Sequence, residues 1–334
     1  MPSIQRIVVP TSFAEGSVNS YLLLGEPLTL VDCGTGEPGS LAALQAALAG
    51  AGAGLSDLQC LVLTHLHWNH CGGLAGVLQA APGIEVVAHQ RALPGLCGGA
   101  AEQSRQAGLV MGYLRAAGMA EADLRSWAEP RPAPALADPA RVRWLREGDR
   151  IEGGGGVWDV LHTPGHSQTE VCLHDPESGA LIAGDHLLPD ISANTPLEAP
   201  GPGGRARPRA LLELREHLGR VRALEVATVY PGHGEPFTGH RALIDRRLLE
   251  QDQRCASIAA HLAQGPLTAV EVSRRLFPRL QGRGVFLGIS EAIGHLDLLE
   301  ARGQVRTRGQ DGVLRYELVG LPAAAGRPGN WPGD

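Results

Sequence analysis

Three histidines fall within six residues of each other, in the hexapeptide 65–70, which reads His-Leu-His-Trp-Asn-His. It follows an apolar run at 61–63 and precedes Cys-Gly-Gly at 71–73. Imidazole nitrogen is a favoured ligand for zinc and similar divalent ions, and a catalytic ion needs protein ligands plus one open position. Because the chain also supplies distant partners, we interpret the hexapeptide as part of a metal site rather than as solvated or turn-capping histidines.

The distant partners occur where strands are expected to end. Three apolar, strand-like runs each stop at a turn containing Gly or Pro, and each turn carries a His or an Asp. Ligands at strand ends are held rigidly, and one such histidine alone would more often cap a turn. The runs are 158–162, 180–183 and 226–230, and they lead to His166, Asp185 and His233.

These motifs resemble those of the metallo-β-lactamase superfamily, which run Thr-His-x-His-x-Asp-His-x-Gly-Gly, then Pro-Gly-His, Gly-Asp and Pro-Gly-His-Gly. The resemblance covers roughly residues 1 to 240. It implies zinc, one or two ions per chain, with Mn²⁺ or Fe²⁺ as alternatives. It also implies a structural role for Asp32, which supports the histidine loop. The implied ligands are His65, His67 and His166 for the first ion, His70 and His233 for the second, and Asp185 as the bridge between them.

One position departs from the family pattern. Asn69 stands where the family has Asp, and an amide oxygen binds zinc more weakly than a carboxylate does. Asn69 can orient water through a hydrogen bond but cannot accept a proton as a base. We therefore count Asn69 and Asp185 as the candidate catalytic residues, and we expect the second site to fill only partly or at raised metal concentration. Activity is expected to be reduced, mononuclear or absent.

The resemblance implies a hydrolase that attacks its substrate with metal-activated hydroxide. Within the superfamily the chain looks like the lactamase-beta-like and glyoxalase II-like group. Asp185 stands where zinc β-lactamases place a Cys ligand, which argues against antibiotics, and the basic cluster that binds glutathione in glyoxalase II is not recognisable. The first choice of substrate is therefore an acyl thioester of coenzyme A or of an acyl carrier protein, or a related ester. A lactonase, an endoribonuclease, and a metal-binding protein with little activity stay open.

The fold class that the resemblance implies is α+β, a four-layer αββα sandwich over residues 1–240. The residues themselves predict strands at 6–9, 21–24, 29–31 and 58–63, and a helix at 40–49. Residues 89–128 are predicted to be mostly helical. They form either a lid over the metal cleft or a plain pair of packing helices.

The pattern changes after residue 240. Helices are predicted at 240–264, 268–276 and 290–302, the second opened by a capping box of Thr268 and Glu271, and a hairpin is predicted from 305–308 and 313–318. This order is a winged-helix layout over 241–319, followed by a disordered tail at 320–334. Residues 251–320 carry nine arginines against seven acidic residues, a net charge of +2, which is too small for a face that follows phosphates. We expect a packing or substrate-cleft domain.

Composition agrees with a water-soluble enzyme. A chain of 334 residues predicts about two domains, and the net charge of −6 makes a nucleic-acid partner unlikely. Residues 1–11 lack a signal-peptide pattern, and no run reaches the ~18 apolar residues of a membrane span. The six cysteines show no CxxC spacing. We therefore expect a cytoplasmic protein that acts on a small molecule and not at a membrane.

Overall fold

The computed structural model describes residues 3–12, 16–127, 138–201 and 203–319. The predicted tail at 320–334 lies outside the described residues. Two β-sheets pack face to face, and a smaller sheet follows near the C-terminus.

The first sheet has six strands in the order of the chain, antiparallel from β1 to β3 and parallel from β3 to β6. The second has five strands in the order β11-β10-β9-β8-β7. The strands of the first sheet are β1 (Ser3–Val9), β2 (Val18–Leu24), β3 (Thr29–Val31), β4 (Cys60–Leu63), β5 (Glu85–His89) and β6 (Val142–Leu145). Those of the second are β7 (Arg150–Gly153), β8 (Gly156–His162), β9 (Val171–Asp175), β10 (Ala180–Gly184) and β11 (Thr228–Pro231).

Helices cover the outer face of each sheet. Alternate residues of β2 show why: Tyr21 and Leu23 join Trp158 in the core between the sheets, whereas Leu22 faces the other way and packs with Leu44 of α1. Strands that are buried on both faces have sequences that are continuously apolar. The predicted αββα sandwich is confirmed. The helices up to this point in the chain are α1 (Pro38–Gly50), α2 (Trp68–Cys71), α3 (Leu74–Ala80), α4 (Leu93–Cys97), α5 (Gly99–Ala116), α6 (Glu121–Trp127) and α7 (Ala210–Arg222).

Strand direction in the second sheet brings three turns to one edge. β9 runs antiparallel to β8 and to β10, and β10 runs parallel to β11. Strands β8, β10 and β11 therefore all end at the same edge. The backbone amide of Val171 donates to the carbonyl of Thr64 at 2.9 Å, which ties this edge to the loop after β4 in the first sheet.

Three helices and a small sheet form the C-terminal part. The turn between its last two strands has positive φ at both Asp311 (52°) and Gly312 (78°), as the predicted hairpin requires. Thr268 caps α9 through the predicted capping box with Glu271. The elements are α8 (His240–Leu262), β12 (Leu267–Thr268), α9 (Ala269–Leu276), α10 (Arg283–Ala301), β13 (Val305–Gln310) and β14 (Val313–Leu318).

Helix α10 begins at Arg283, earlier than the predicted start at 290. Glycines at 284 and 288 weaken the helical pattern of this stretch in the sequence. A Cβ atom added to Gly288 would lie 2.6 Å from Leu280 Cδ1 and 2.9 Å from Ser273 Oγ. The glycine therefore lets α9 and α10 approach closely, and this packing outweighs the low helix propensity.

The C-terminal helices share one hydrophobic core with α5 and α7. Leu114 of α5 and Leu211 of α7 are buried in the same cluster as Ile289 of α10. The backbone amide of Val270 donates to the carbonyl of Ala117 at 3.1 Å, just past the end of α5. Among the described residues, no helix has the length and apolar character needed to cross a membrane.

Replacing Thr268 by Ala should lower the free energy of unfolding by about 1 kcal/mol, because the α9 capping box loses its hydroxyl acceptor. Urea denaturation of the full chain measures this. Thr268→Ser keeps the hydroxyl and should stay near the wild-type value. Equal stability of the Ala variant and the wild type would show that the cap contributes nothing.

Candidate metal centre

Asp32 holds the histidine loop in place. Its Oδ1 accepts from the backbone amide of Thr64 at 2.8 Å, and its Oδ2 accepts from Thr64 Oγ1 at 2.7 Å and from His70 Nδ1 at 2.8 Å. Asp32 adopts a φ of 58°, a left-handed conformation that Asp and Asn tolerate better than most residues. One buried carboxylate thus orients both the start of the loop and a histidine of α2.

The structure brings all six predicted ligands into one cluster around Asp185. Asp185 Oδ1 lies 3.3 Å from His70 Nε2, and Oδ2 lies 3.4 Å from His166 Nε2 and 3.5 Å from His233 Nε2. His65, His67 and His166 present nitrogens within 4.8 Å of one another, and so do the corresponding atoms of His65, His70 and Asp185. These groups can hold a metal ion, while the role of each residue as a ligand stays a prediction.

Several of the histidines use their second ring nitrogen to hold their orientation. A histidine that donates one N–H to a protein acceptor keeps a lone pair on its other nitrogen, and metal-ligating histidines commonly do this. The outward contacts are His70 Nδ1 to Asp32 at 2.8 Å, His166 Nδ1 to the carbonyl of Asn194 at 2.7 Å, and His233 Nδ1 to the carbonyl of Ser17 at 2.8 Å.

Three atoms of the cluster are buried without a hydrogen bond to the described protein atoms: His65 Nε2, His70 Nε2 and Asp185 Oδ1, the last two of which face each other at 3.3 Å as an ion pair. Leaving a buried polar atom unpaired is costly. Divalent cations at the two proposed positions would contact these atoms, and imidazole nitrogens with one carboxylate are a donor set that suits zinc, manganese or iron. The residues present therefore fit a metal ion.

Burial and neighbouring charges set the protonation of the cluster. Burial lowers the pKa of His65 well below its usual range and that of His166 to about 4. Burial also disfavours ionised Asp185, but the neighbouring imidazoles, His70 first, hold its pKa well below the usual range. Burial opposes protonation of His70, but Asp185 and Asp32 outweigh it and raise the pKa of His70 to about 10. A ligating imidazole must have a free lone pair, so protonation of His70 opposes the binding of a cation there.

Gly232 allows the β11 turn to reach the cluster. A Cβ atom at this position would lie 2.1 Å from Asp185 Oδ1 and 2.8 Å from His70 Cε1. Its amide donates to the carbonyl of Gly184 at 2.6 Å, which joins the β10 and β11 turns. A side chain here would displace the carboxylate.

Asn69 contacts one of the predicted ligands directly. Its Nδ2 lies 3.0 Å from His233 Nε2. In the neutral tautomer whose Nδ1 donates to the carbonyl of Ser17, Nε2 is an acceptor and the Asn69 amide can donate to it. In that arrangement the amide occupies the lone pair that the family resemblance assigns to the second ion.

Two glutamates near the cluster were missed from the sequence. Glu170 Oε1 accepts from the backbone amide of Asp185 at 2.8 Å and lies 3.9 Å from His65 Nδ1, and burial raises its pKa well above the usual range. Glu198 Oε1 lies 3.7 Å from His67 Nε2. An acidic residue directly before the buried strand β9 was a signal for Glu170, whereas Glu198 had no spacing signal.

A cleft of about 770 Å³ extends from the cluster. Helices α4 and α5 and the segment 197–201 line it, and His67 and Glu198 lie on its wall. The region 89–128 therefore forms a wall of the cleft, as a lid would. Its buried residues Val110 and Leu114 also join the core shared with the C-terminal helices, so the packing role proposed as the alternative holds as well.

Asp32→Asn should weaken metal binding by roughly 10- to 100-fold, because an amide tolerates the same backbone conformation but cannot hold His70 Nδ1–H as a carboxylate does. Competition with a chromophoric chelator measures the affinity. Asp159→Asn is the control, since Asp159 pairs with Arg150 on β7 and does not contact the cluster. Unchanged affinity in Asp32→Asn would contradict the supporting role of Asp32.

Comparison with known proteins agrees with this geometry. Residues 14–233 match the family described as Metallo-beta-lactamase superfamily, and residues 255–319 match Metallo-beta-lactamase-like, C-terminal domain. The probable metallo-hydrolase YqjP of Bacillus subtilis is 37% identical over 315 residues, which is 94% of this chain and 97% of that protein. The acyl-coenzyme A thioesterase MBLAC2 of Gallus gallus is 33% identical over 129 residues, which is 37% of this chain and 40% of that protein.

Solved structures show the same fold. A metallo-beta-lactamase family protein from Thermus thermophilus superimposes with a TM-score of 0.78 at 27% identity, covering 95% of this chain and 98% of that one. A beta-lactamase domain protein from Burkholderia ambifaria gives a TM-score of 0.71 at 25% identity, covering 95% and 92%. From its motifs, its sandwich and these matches, the chain belongs to the metallo-β-lactamase superfamily, a family of metallo-hydrolases.

Proposed function

We propose that this protein is a metal-dependent hydrolase that cleaves an acyl thioester, of coenzyme A or of an acyl carrier protein, or a related ester. One observation carries the proposal: the buried cluster around Asp185 opens, at His67, into a cleft with a largely apolar wall. A ligand cluster that adjoins a cleft with room for a substrate is the usual arrangement of a hydrolytic centre.

The ion we propose is zinc, with Mn²⁺ or Fe²⁺ as alternatives, at one or two per chain. When bound, such an ion lowers the pKa of water toward ~7 and polarises the carbonyl under attack. The residues that would hold it are His65, His67 and His166 at the first position, His70 and His233 at the second, and Asp185 between them.

Two side chains near the cluster, Asn69 and Glu198, bear on proton transfer in the proposed reaction. Asn69 can orient a water molecule with its amide but cannot take up the proton that the attacking water releases. Glu198 lies on the cleft wall, 3.7 Å from His67 Nε2. Burial opposes its ionisation, but His67 and the backbone amide of Gln168 outweigh burial and hold the pKa of its carboxyl below the usual range, so Glu198 is a weak base. We therefore propose that Asn69 slows the chemical step more than it weakens substrate binding.

The choice of a thioester is supported by the relatives as well as by the cleft. Relatives with thioesterase names include the Gallus gallus protein above and the atrochrysone carboxyl ACP thioesterase of Aspergillus fumigatus, which is 22% identical over 260 residues, 78% of this chain and 47% of that protein. Asn69 is the specific observation that favours a second candidate, a metal-binding protein with little turnover.

A substrate panel separates these functions. The purified chain, with its metal content measured, should hydrolyse an acyl-coenzyme A faster than a γ-lactone or a phosphodiester, lose the activity on chelation and regain it with Zn²⁺. Asp185→Asn should lose bound metal and activity together, whereas Asp175→Asn, at the end of β9, should keep both. Bound metal without turnover on any substrate, even with excess Zn²⁺, Mn²⁺ or Fe²⁺, would establish the binding protein instead. Preference for the lactone or the phosphodiester would overturn the thioester assignment.

Asn69→Asp should raise both the metal bound per chain and the rate of hydrolysis, because a carboxylate cannot donate to His233 Nε2 and can itself ligate a metal and accept a proton. Elemental analysis and a thioesterase assay on the same samples measure the two quantities. Asn69→Ala removes the amide without adding a carboxylate, so it should not raise the rate. Equal metal content and rate in Asn69→Asp and wild type would refute this account of position 69.

A further inference from the structure

We infer that the cleft beside the metal cluster is a channel for the acyl chain of the substrate, and that Gly108 of α5 sets its width. This inference rests on the hydrolase function proposed above. His67 belongs both to the cluster and to the cleft wall. A carbonyl group held at the cluster would therefore have its substituent leading into the cleft.

The walls favour an apolar substituent. Leu66 follows His65 in the histidine loop, Val110 and Met111 come from α5, and Leu197 begins the segment on the far side. A methylene group occupies about 30 Å³, as a molecule of liquid water does. A cleft of this volume therefore has room for roughly 25 non-hydrogen atoms. A medium to long acyl chain fits within that space.

Charge argues that the acyl chain, and not the phosphate-bearing leaving group, lies here. Arg105 is paired with Glu102 through two hydrogen bonds of 2.6 Å, and Arg91 donates to Gln168 Oε1 at 2.8 Å. Glu198 adds a carboxylate to the same wall. The hydrogen bond to the neutral amide of Gln168 leaves the charge of Arg91 in place, but the two arginines are balanced in number by Glu102 and Glu198. The cleft therefore offers no excess of positive charge for the several phosphates of coenzyme A.

Gly108 lies in the interior of α5, where glycine disfavours the helix relative to alanine. A Cβ atom there would have no described atom within 4 Å, so neither crowding nor a left-handed backbone requires a glycine. Gly108 faces the cleft, and any side chain at this position would project into its free volume. Gly108 is exposed, so the missing side chain leaves this part of the cleft wall open to solvent and to a substrate.

Gly112 provides a matched control. It lies one turn further along α5, a Cβ atom there also meets no described atom within 4 Å, and it is not among the residues that line the cleft. Because helical side chains lean toward the N-terminus, a long side chain at 112 would approach the position of 108, whereas the methyl group of an alanine is too short to do so. Alanine at 112 thus changes the helix as alanine at 108 does without filling the channel. Ala at either position should raise the melting temperature, because both remove a glycine from a helix interior.

The test uses the full, metal-loaded chain with acetyl-coenzyme A and decanoyl-coenzyme A, and measures binding of decanoate by calorimetry as a readout independent of turnover. Gly108→Leu should lower the ratio of decanoyl to acetyl kcat/KM by roughly tenfold or more, and Gly108→Ala by less, because added atoms exclude part of the chain. Gly108→Leu should weaken decanoate binding, while Gly112→Ala, the control for Gly108→Ala, should change neither the ratio nor the binding.

The outcomes separate this inference from the proposed function. An unchanged ratio and unchanged decanoate binding in Gly108→Leu, with thioesterase activity present, would overturn the channel and leave the hydrolase standing. Equal effects of the 108 and 112 variants would also overturn it, since a general change in α5 would then explain both. Decanoate binding that depends on Gly108 without hydrolysis of either thioester would support the channel and remove the proposed function.

Discussion

The burial of imidazoles around one carboxylate is the constraint on which the rest of this structure depends. His65 Nε2, His70 Nε2 and Asp185 Oδ1 make no hydrogen bond to the described part of the chain, and the last two have only each other, at 3.3 Å, as an ion pair. Each unpaired buried polar group costs about 1–3 kcal/mol, which is a considerable part of a domain's net stability. Metal ions at the two proposed positions would contact all three atoms. They would stabilise the fold, since anything that binds the native state alone stabilises it.

The arrangement of the two sheets positions the side chains of the cluster. Two sheets deliver side chains from four separate loops, and the parallel sense of β8, β10 and β11 sends three of those loops to one edge. Hydrogen bonds then join the edges, from Val171 to Thr64 and from Gly232 to Gly184. Rigid strands hold the ligand-bearing loops in place better than a flexible scaffold would. Folding therefore places most of the ligand side chains before an ion binds.

The C-terminal elements contribute to the cleft through α5. One side of this helix carries Leu114 into the core shared with α7 and α10, and another side carries Gly108 and Met111 to the cleft. The capped start of α9 hydrogen-bonds to Ala117 just past the end of α5. The C-terminal helices thereby support one wall of the cleft.

Several features of this protein could be predicted from the sequence alone because they depend on neighbouring residues. They are the histidine hexapeptide, the strand-ending turns, the capping box at Thr268 and the turn at 311–312. The sandwich was predicted from the resemblance to a known family. Features that depend on packing between residues far apart in the sequence were determined only by the tertiary structure. Glu198 lies close to His67 although more than a hundred residues separate the two in the sequence. Close packing at Gly288 allows α10 to begin before the start that the sequence pattern predicts. The donation from Asn69 to His233 likewise depends on two distant loops meeting, and no pattern along the chain records that distance.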